Sequence, residues 1–192
     1  QLIAYLNGEI THKTPTYIYV DCHGVGYHVN ISLNTYSKLE KLQKIKIFTY
    51  LNVREDDQSL YGFFDDDERS LFILLISVSG IGVNTARVIL SYMNPDEVRS
   101  AIMHENAVAL GKVKGIGPKT AKRIILDLKD KVIKESGSEQ VILFSPENNT
   151  IRNEALSALV ALGFPKPMVE KQVKTILEKN PNIELVEDLI KQ

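Results

Sequence analysis

The sequence predicts a multidomain α+β protein: a small N-terminal β-barrel, a central all-helical domain and a C-terminal three-helix bundle reached through a linker. Three observations predict it. Short β-branched and aromatic runs fill residues 1–64, a nine-residue glycine motif occurs twice, 35 residues apart, and a polar unpatterned stretch precedes three short amphipathic patterns at the end. With 192 residues, 44% hydrophobic and 24% charged, the chain has the profile of a folded protein of one to two ordinary domains.

In residues 1–64, Tyr17-Ile18-Tyr19-Val20, Tyr27-His28-Val29-Asn30-Ile31 and Ile45 to Leu51 read as strands separated by turns. About 64 residues are too few for a seven-stranded sandwich and suit a five- or six-stranded closed barrel of the OB kind. At Asp65 the period changes. Asp65-Asp66-Asp67-Glu68 precedes Leu71, Phe72, Leu74, Leu75 and Val78 at helical spacing, so the acidic run reads as a helix start whose carboxylates cap free amides. Helices are expected through Val132, giving a helical domain over 65–134. A linker follows over 135–147, opened by the polar run Lys134 to Gln140. In 148–192 the helical patterns are Ala155, Leu156, Leu159, Val160; then Met168, Val169, Val173, Ile176, Leu177; then Ile183, Leu185, Val186, Leu189, Ile190. Gly163 and Pro165 end the first and Pro181 the second. So small a bundle suits protein docking better than catalysis, and Leu156, Leu159, Leu162, Leu185 and Leu189 read as its core.

The repeat is the most informative feature. Ser79-Gly80-Ile81-Gly82-Val83-Asn84-Thr85-Ala86-Arg87 recurs as Lys114-Gly115-Ile116-Gly117-Pro118-Lys119-Thr120-Ala121-Lys122, each copy between helical segments. A single Gly-Ile-Gly could be only a compact turn; two copies favour a shared task. Glycines permit positive φ and close approach, and the amides opening the second helix point outward with the dipole behind them, which favours a phosphate. Pro118 fits the first helical position, while Lys119, Lys122 and Arg123 add charge. A dinucleotide site is disfavoured because the third glycine is missing and the preceding segment reads as helix. The ATPase phosphate-loop pattern is also missing, so any ATP used must be bound by another protein. The tandem resembles the helix-hairpin-helix module, which grips duplex DNA through backbone phosphates.

Net charge is only −1, but Lys112 to Lys134 holds 8 basic and 2 acidic residues, a local excess of +6 and a candidate electrostatic footprint. Arg54-Glu55-Asp56-Asp57 falls between two strand patterns and reads as the tip of a β-hairpin. Three readings are open: a solvated turn, a metal nuclease centre, and a negative pin set against nucleic acid. Consecutive acids on one loop suit a converging metal site poorly. Beside a phosphate-gripping module, a pin that repels phosphates is the sharper reading. His12, His23, His28 and His104 lack zinc spacing, Cys22 is the single cysteine, and the longest apolar run is Leu71 to Ile76. A reducing, cytoplasmic setting is expected, with no membrane segment or secretory leader.

The order barrel, tandem hairpins, linker and tail resembles the bacterial RuvA family, on Arg54-Glu55-Asp56, Leu60-Tyr61-Gly62-Phe63, Gly24-Val25-Gly26-Tyr27 and Gly115-Ile116-Gly117-Pro118-Lys119-Thr120-Ala121. The resemblance spans nearly the whole chain. It implies a homotetramer, or an octamer of two, holding a four-way (Holliday) junction open and square-planar in recombination and DNA repair, including the SOS response to damage. DNA contacts would come from Gly80, Ile81, Gly82, Asn84, Thr85, Arg87, Gly115, Ile116, Gly117, Lys119, Thr120, Lys122, Arg123 and Arg54, with Glu55 and Asp56 as the acidic pin at the crossover. It further implies a UBA-like tail that docks the hexameric RuvB motor, RuvC resolvase as a further partner, and no catalytic, metal or cofactor site in this chain, ATP and magnesium being used by the motor. One departure is visible: the first hairpin has Val83-Asn84 where the second has Pro118-Lys119.

Overall fold

The computed structural model describes residues 2–140, 155–156, 158–160 and 162–179. The chain divides into two compact units, residues 1–134 and 135–192. In the first, β1 (Tyr5–Lys13), β2 (Tyr17–Cys22), β3 (Val25–Ile31), β4 (Lys44–Val53) and β5 (Gln58–Phe63) close a barrel in the order β1-β2-β3-β5-β4. All pairs are antiparallel except β3 with β5, where Val29 stands opposite Leu60 and Ile31 opposite Gly62. This is the expected OB-type barrel. Strand alternation drives it: Ile18, Val20, Val29, Ile31, Ile45 and Ile47 point inward and are buried, while their neighbours face out. At Gly62 a Cβ would stand 2.5 Å from Val29 Cγ1 and 2.7 Å from Ile47 Cδ1, so only glycine lets the wall close there.

A short helix, α1 (Leu33–Lys38), joins β3 to β4 where the sequence showed only β signals. Ser32 caps it through Thr35 N, and the Lys13 ammonium donates to the carbonyls of Leu39 and Glu40 at 2.9 and 2.7 Å beyond its last turn. Six residues are too few to show a helical period, which is why the segment was invisible.

Five helices follow: α2 (Asp66–Ile76), α3 (Val83–Tyr92), α4 (Pro95–Met103), α5 (Ala107–Gly111) and α6 (Pro118–Gln140). Asp65 caps α2 as expected, accepting from Glu68 N at 2.8 Å. An Asn94/Glu97 capping box with Pro95 opens α4. The helices do not form a core of their own: Tyr61 and Phe63 of β5 belong to the same buried cluster, and the Phe72 ring lies 4.8–5.5 Å from those of Phe63, Tyr61 and Tyr50. Glu68, fully buried, accepts hydrogen bonds from Ser32 Oγ and, at 2.8 Å, from Thr35 Oγ1, tying α2 to α1.

Helix α6 corrects the linker expectation, since it runs to Gln140 and so takes in 135–140. Each added residue gains a backbone hydrogen bond without needing an apolar stripe, and Gly137 alone costs only about 1 kcal/mol. The rest of the proposed linker, 141–147, lies outside the described residues. In the second unit, Ala155, Val169 and Val173 are buried, with Leu156, Leu159 and Ile176 packed on them, and α7 (Lys166–Lys179) carries the second expected pattern. The preceding helical turn ends at Gly163, φ +95°, with Phe164 N bonded to Leu159 O and Gly163 N to Val160 O, a left-handed C-terminal cap. Leu162 departs from its expected core place: at 70% exposure it sits on this turn, after the buried face has ended. The third helical pattern, with Leu185 and Leu189, falls outside the described residues. Among those described, no helix is long and apolar enough to cross a membrane.

Candidate nucleic-acid interface

The two glycine turns have the same geometry. Gly80 and Gly115 both stand at φ +90°, a conformation other residues adopt at a cost. Ile81 N bonds Val78 O and Ile116 N bonds Val113 O, each at 3.0 Å; Ala86 N then bonds Gly82 O and Ala121 N bonds Gly117 O to start the next helix. Ile81 and Ile116 are each 5% exposed, so their side chains anchor the turn from below, beside the exposed glycines. Gly82 and Gly117 are exposed, and a Cβ on either would meet nothing within 4 Å. The amides of the first turns of α3 and α6 have no intrahelical acceptor, and Gly82 offers no capping side chain. Two amide-lined, positively polarised openings therefore face solvent, each able to hold an anion.

The charged residues divide into free and committed ones. Lys119 and Lys122 are exposed and enter no ion pair or hydrogen bond among the described residues, as does Lys114. Arg123 is exposed but reaches across to the first turn, donating to Ser79 O at 3.2 Å, and so braces one hairpin against the other. Arg87 is turned toward the barrel, donating from one guanidinium nitrogen to Thr16 O at 3.2 Å and Asn30 Oδ1 at 3.1 Å, which fastens α3 to the barrel. Asn84 accepts from the Tyr61 hydroxyl at 3.3 Å. Thr85 and Thr120 are half-buried beside the two openings.

Arg54, Glu55, Asp56 and Asp57 form the β4–β5 turn, closed by Arg54 N bonding Asp57 O at 2.8 Å, and all four are exposed. None enters an ion pair or side-chain hydrogen bond among the described residues. The acids of α2 are spent differently. Asp65 pairs with Lys38 at 2.7 Å, Asp66 with Arg69, and Asp67 with Arg99 at 2.7 Å. Burial works to raise the Asp65 carboxyl, but the Lys38 hydrogen bond, the Glu68 amide and the charges of Lys38 and Arg99 outweigh it and leave it lowered. Glu68 moves the other way: burial raises its carboxyl against the pull of the Ser32 and Thr35 hydroxyls. Among the described residues no three His, Cys, Asp or Glu are grouped to hold a metal ion.

One feature of this surface escaped the sequence reading. His12, Tyr17, Tyr19 and His28 gather on the outer face of β1–β3, with ring centroids 4.8–5.6 Å apart. Its signal in the sequence is the alternation of Tyr17 and Tyr19, which also marks the strand.

Fold and site together define a class: a five-stranded OB-type barrel fused to a tandem helix-hairpin-helix domain, with an acidic β-turn and a separate helical tail. Family models agree, matching a RuvA N-terminal domain over residues 3–62, a SAM-like helix-hairpin-helix tandem over 72–130 and a RuvA C-terminal domain over 150–192. The chain belongs to the RuvA family. It is 48% identical to a protein of Cytophaga hutchinsonii, over 100% of this chain and 98% of that one, and 46% identical to one of Christiangramia forsetii, over 99% and 97%. A Porphyromonas gingivalis relative is 44% identical over 100% and 98%. All three are named Holliday junction branch migration complex subunit RuvA.

Proposed function

We propose that this chain binds four-way DNA junctions, holds them open, and recruits a motor that moves the branch point. The observation that carries this reading is the pairing of two geometrically matched, amide-lined hairpins with an unpaired acidic turn in one compact unit. The hairpins supply sequence-independent grip on phosphates. The turn, Glu55 and Asp56 foremost, repels phosphates at the crossover and keeps strands apart. Relatives over the whole chain, named as branch-migration subunits, support it.

The finer parts rest on physical fit. A homotetramer would set hairpins on all four arms, and weak grips combine through effective concentration into strong, shape-selective binding. The tail is the docking module for the RuvB ATPase: Val160, Leu162, Phe164 and Met168, 40–70% exposed around the Gly163 turn, give a partner apolar anchors. ATP and magnesium belong to that motor, and this chain performs no chemistry. A cytoplasmic setting and a contact with the RuvC resolvase complete the assignment.

The test is a competition gel shift of a synthetic four-way junction against linear duplex of the same arm sequence, with magnesium and without ATP. Junction preference of two or more orders of magnitude without cleavage is expected. Equal binding would reduce the chain to a generic duplex binder, and cut product would make it a nuclease.

A further inference from the structure

The ring cluster on the barrel has no role in gripping duplex DNA or in the pin. Five ring contacts among four residues are more than a strand needs: in the antiparallel register Tyr17 stands opposite Asn30 and Tyr19 opposite His28, and the bulge after Ile10 brings His12 opposite Tyr19. Tyr19 is 40% exposed, and His12 and His28 are exposed, so ring surface is open to solvent.

The position matters as much as the composition. The β3–β5 pairing begins at Val29 and Leu60, one residue after His28 and two residues after Gln58, which ends the acidic turn. At the other end, Arg87 of α3 joins the same face through Thr16 O and Asn30 Oδ1, and α3 is the helix that the first hairpin opens. Rings thus fill the interval between a turn that repels phosphates and a helix that starts at a phosphate-binding turn. A duplex hides its base faces from such rings; an unpaired strand presents them. Strands 2 and 3 of OB barrels, with the β1–β2 and β4–β5 loops, are also where that architecture meets oligonucleotides.

We propose that His12, Tyr17, Tyr19 and His28 form a stacking platform for the bases of a single DNA strand released beside the acidic turn. This rests on the junction reading above and adds a binding site to it. Stacking on rings is tolerant of base identity, so the platform would take any strand passing through.

The experiment uses the full chain, with fluorescence anisotropy on two probes in one buffer: labelled oligothymidylate and a labelled four-way junction. Variants are Tyr19→Ala/His28→Ala and the ring-preserving Tyr19→Phe, each checked by circular dichroism and light scattering. The double variant is expected to bind oligothymidylate at least about tenfold more weakly, while Tyr19→Phe stays near wild type. Undiminished oligothymidylate binding by a folded double variant overturns the platform. So does a drop in its assembly size, which would assign the rings to contact between copies. Failure of wild type to prefer the junction over linear duplex in the competition gel shift overturns the junction reading instead, and is read from the unsubstituted protein alone.

Discussion

Replacing Lys119 by alanine separates the two hairpins. Lys119 is the second residue of α6, exposed and free of ion pairs among the described residues, so its charge is available to a phosphate at the Gly117 opening. A unit charge about 4 Å from a phosphate is worth about 1 kcal/mol at water-like screening and about 4 kcal/mol in a partly shielded site. Exposure selects the lower figure, or about fivefold in affinity per engaged hairpin. Neutralising one phosphate also contributes about 0.9 to the slope of log affinity against log salt, so Lys119→Ala should flatten that slope by about this amount for each hairpin it removes. Asn84 holds the matching place in α3 but carries no charge and already accepts from Tyr61. Asn84→Ala should therefore leave the slope unchanged and weaken binding less. Junction titrations at several salt concentrations decide it; equal losses with equal slopes would refute the division of labour between the copies.

Three further outcomes follow from the same geometry. Because burial lifts the Glu68 carboxyl above its ordinary 4.5, the native state holds that proton more tightly than the unfolded chain, and ionisation costs stability as pH rises from 4.5 through the raised value. Glu68→Gln removes this cost, so in urea melts from pH 4.5 to 7 the variant should gain on wild type as pH rises; a pH-independent gap would count against it. Asp65, lowered below 3.8, loses its contribution only below that window. Gly115→Ala should destabilise by about 1–2 kcal/mol through its φ of +90°, whereas Gly82→Ala, at φ −87° with open space, should melt like wild type yet bind duplex more weakly because a methyl stands in the anion's approach. Equal melting of the two variants would refute this. Glu55→Gln with Asp56→Asn should keep junction binding but alter motor-driven branch migration, and unchanged migration would remove the pin.

What was legible in the sequence was what repeats or alternates over enough residues. The hairpins could be read because nine positions recur with glycines at places the backbone geometry demands. The barrel could be read because Ile18, Val20, Val29 and Ile31 keep a period of two. Helix α1 is shorter than two turns and left no period. The Arg87 and Arg123 bonds join residues 71 and 44 positions apart, and nothing local marks which partner a basic side chain will find. Arg87 matches Lys122 of the second hairpin in position, and only the packing of α3 on the barrel reveals that it bonds Thr16 and Asn30.

That difference bears on how a chain of net charge −1 can hold a polyanion. At the start of α2 the acids are neutralised within the fold, by Lys38, Arg69 and Arg99 or by buried hydroxyls, so they project little field. Among the described residues, the second hairpin leaves Lys114, Lys119 and Lys122 unpaired, and the β4–β5 turn leaves Glu55, Asp56 and Asp57 unpaired. Formal neutrality therefore conceals a surface with separate attracting and repelling regions. A uniformly basic surface would bind any duplex. On the proposed function, one that attracts along the arms and repels at a point favours DNA whose strands diverge there, and structure selectivity then needs the carboxylates of the turn as much as the lysines of the hairpin.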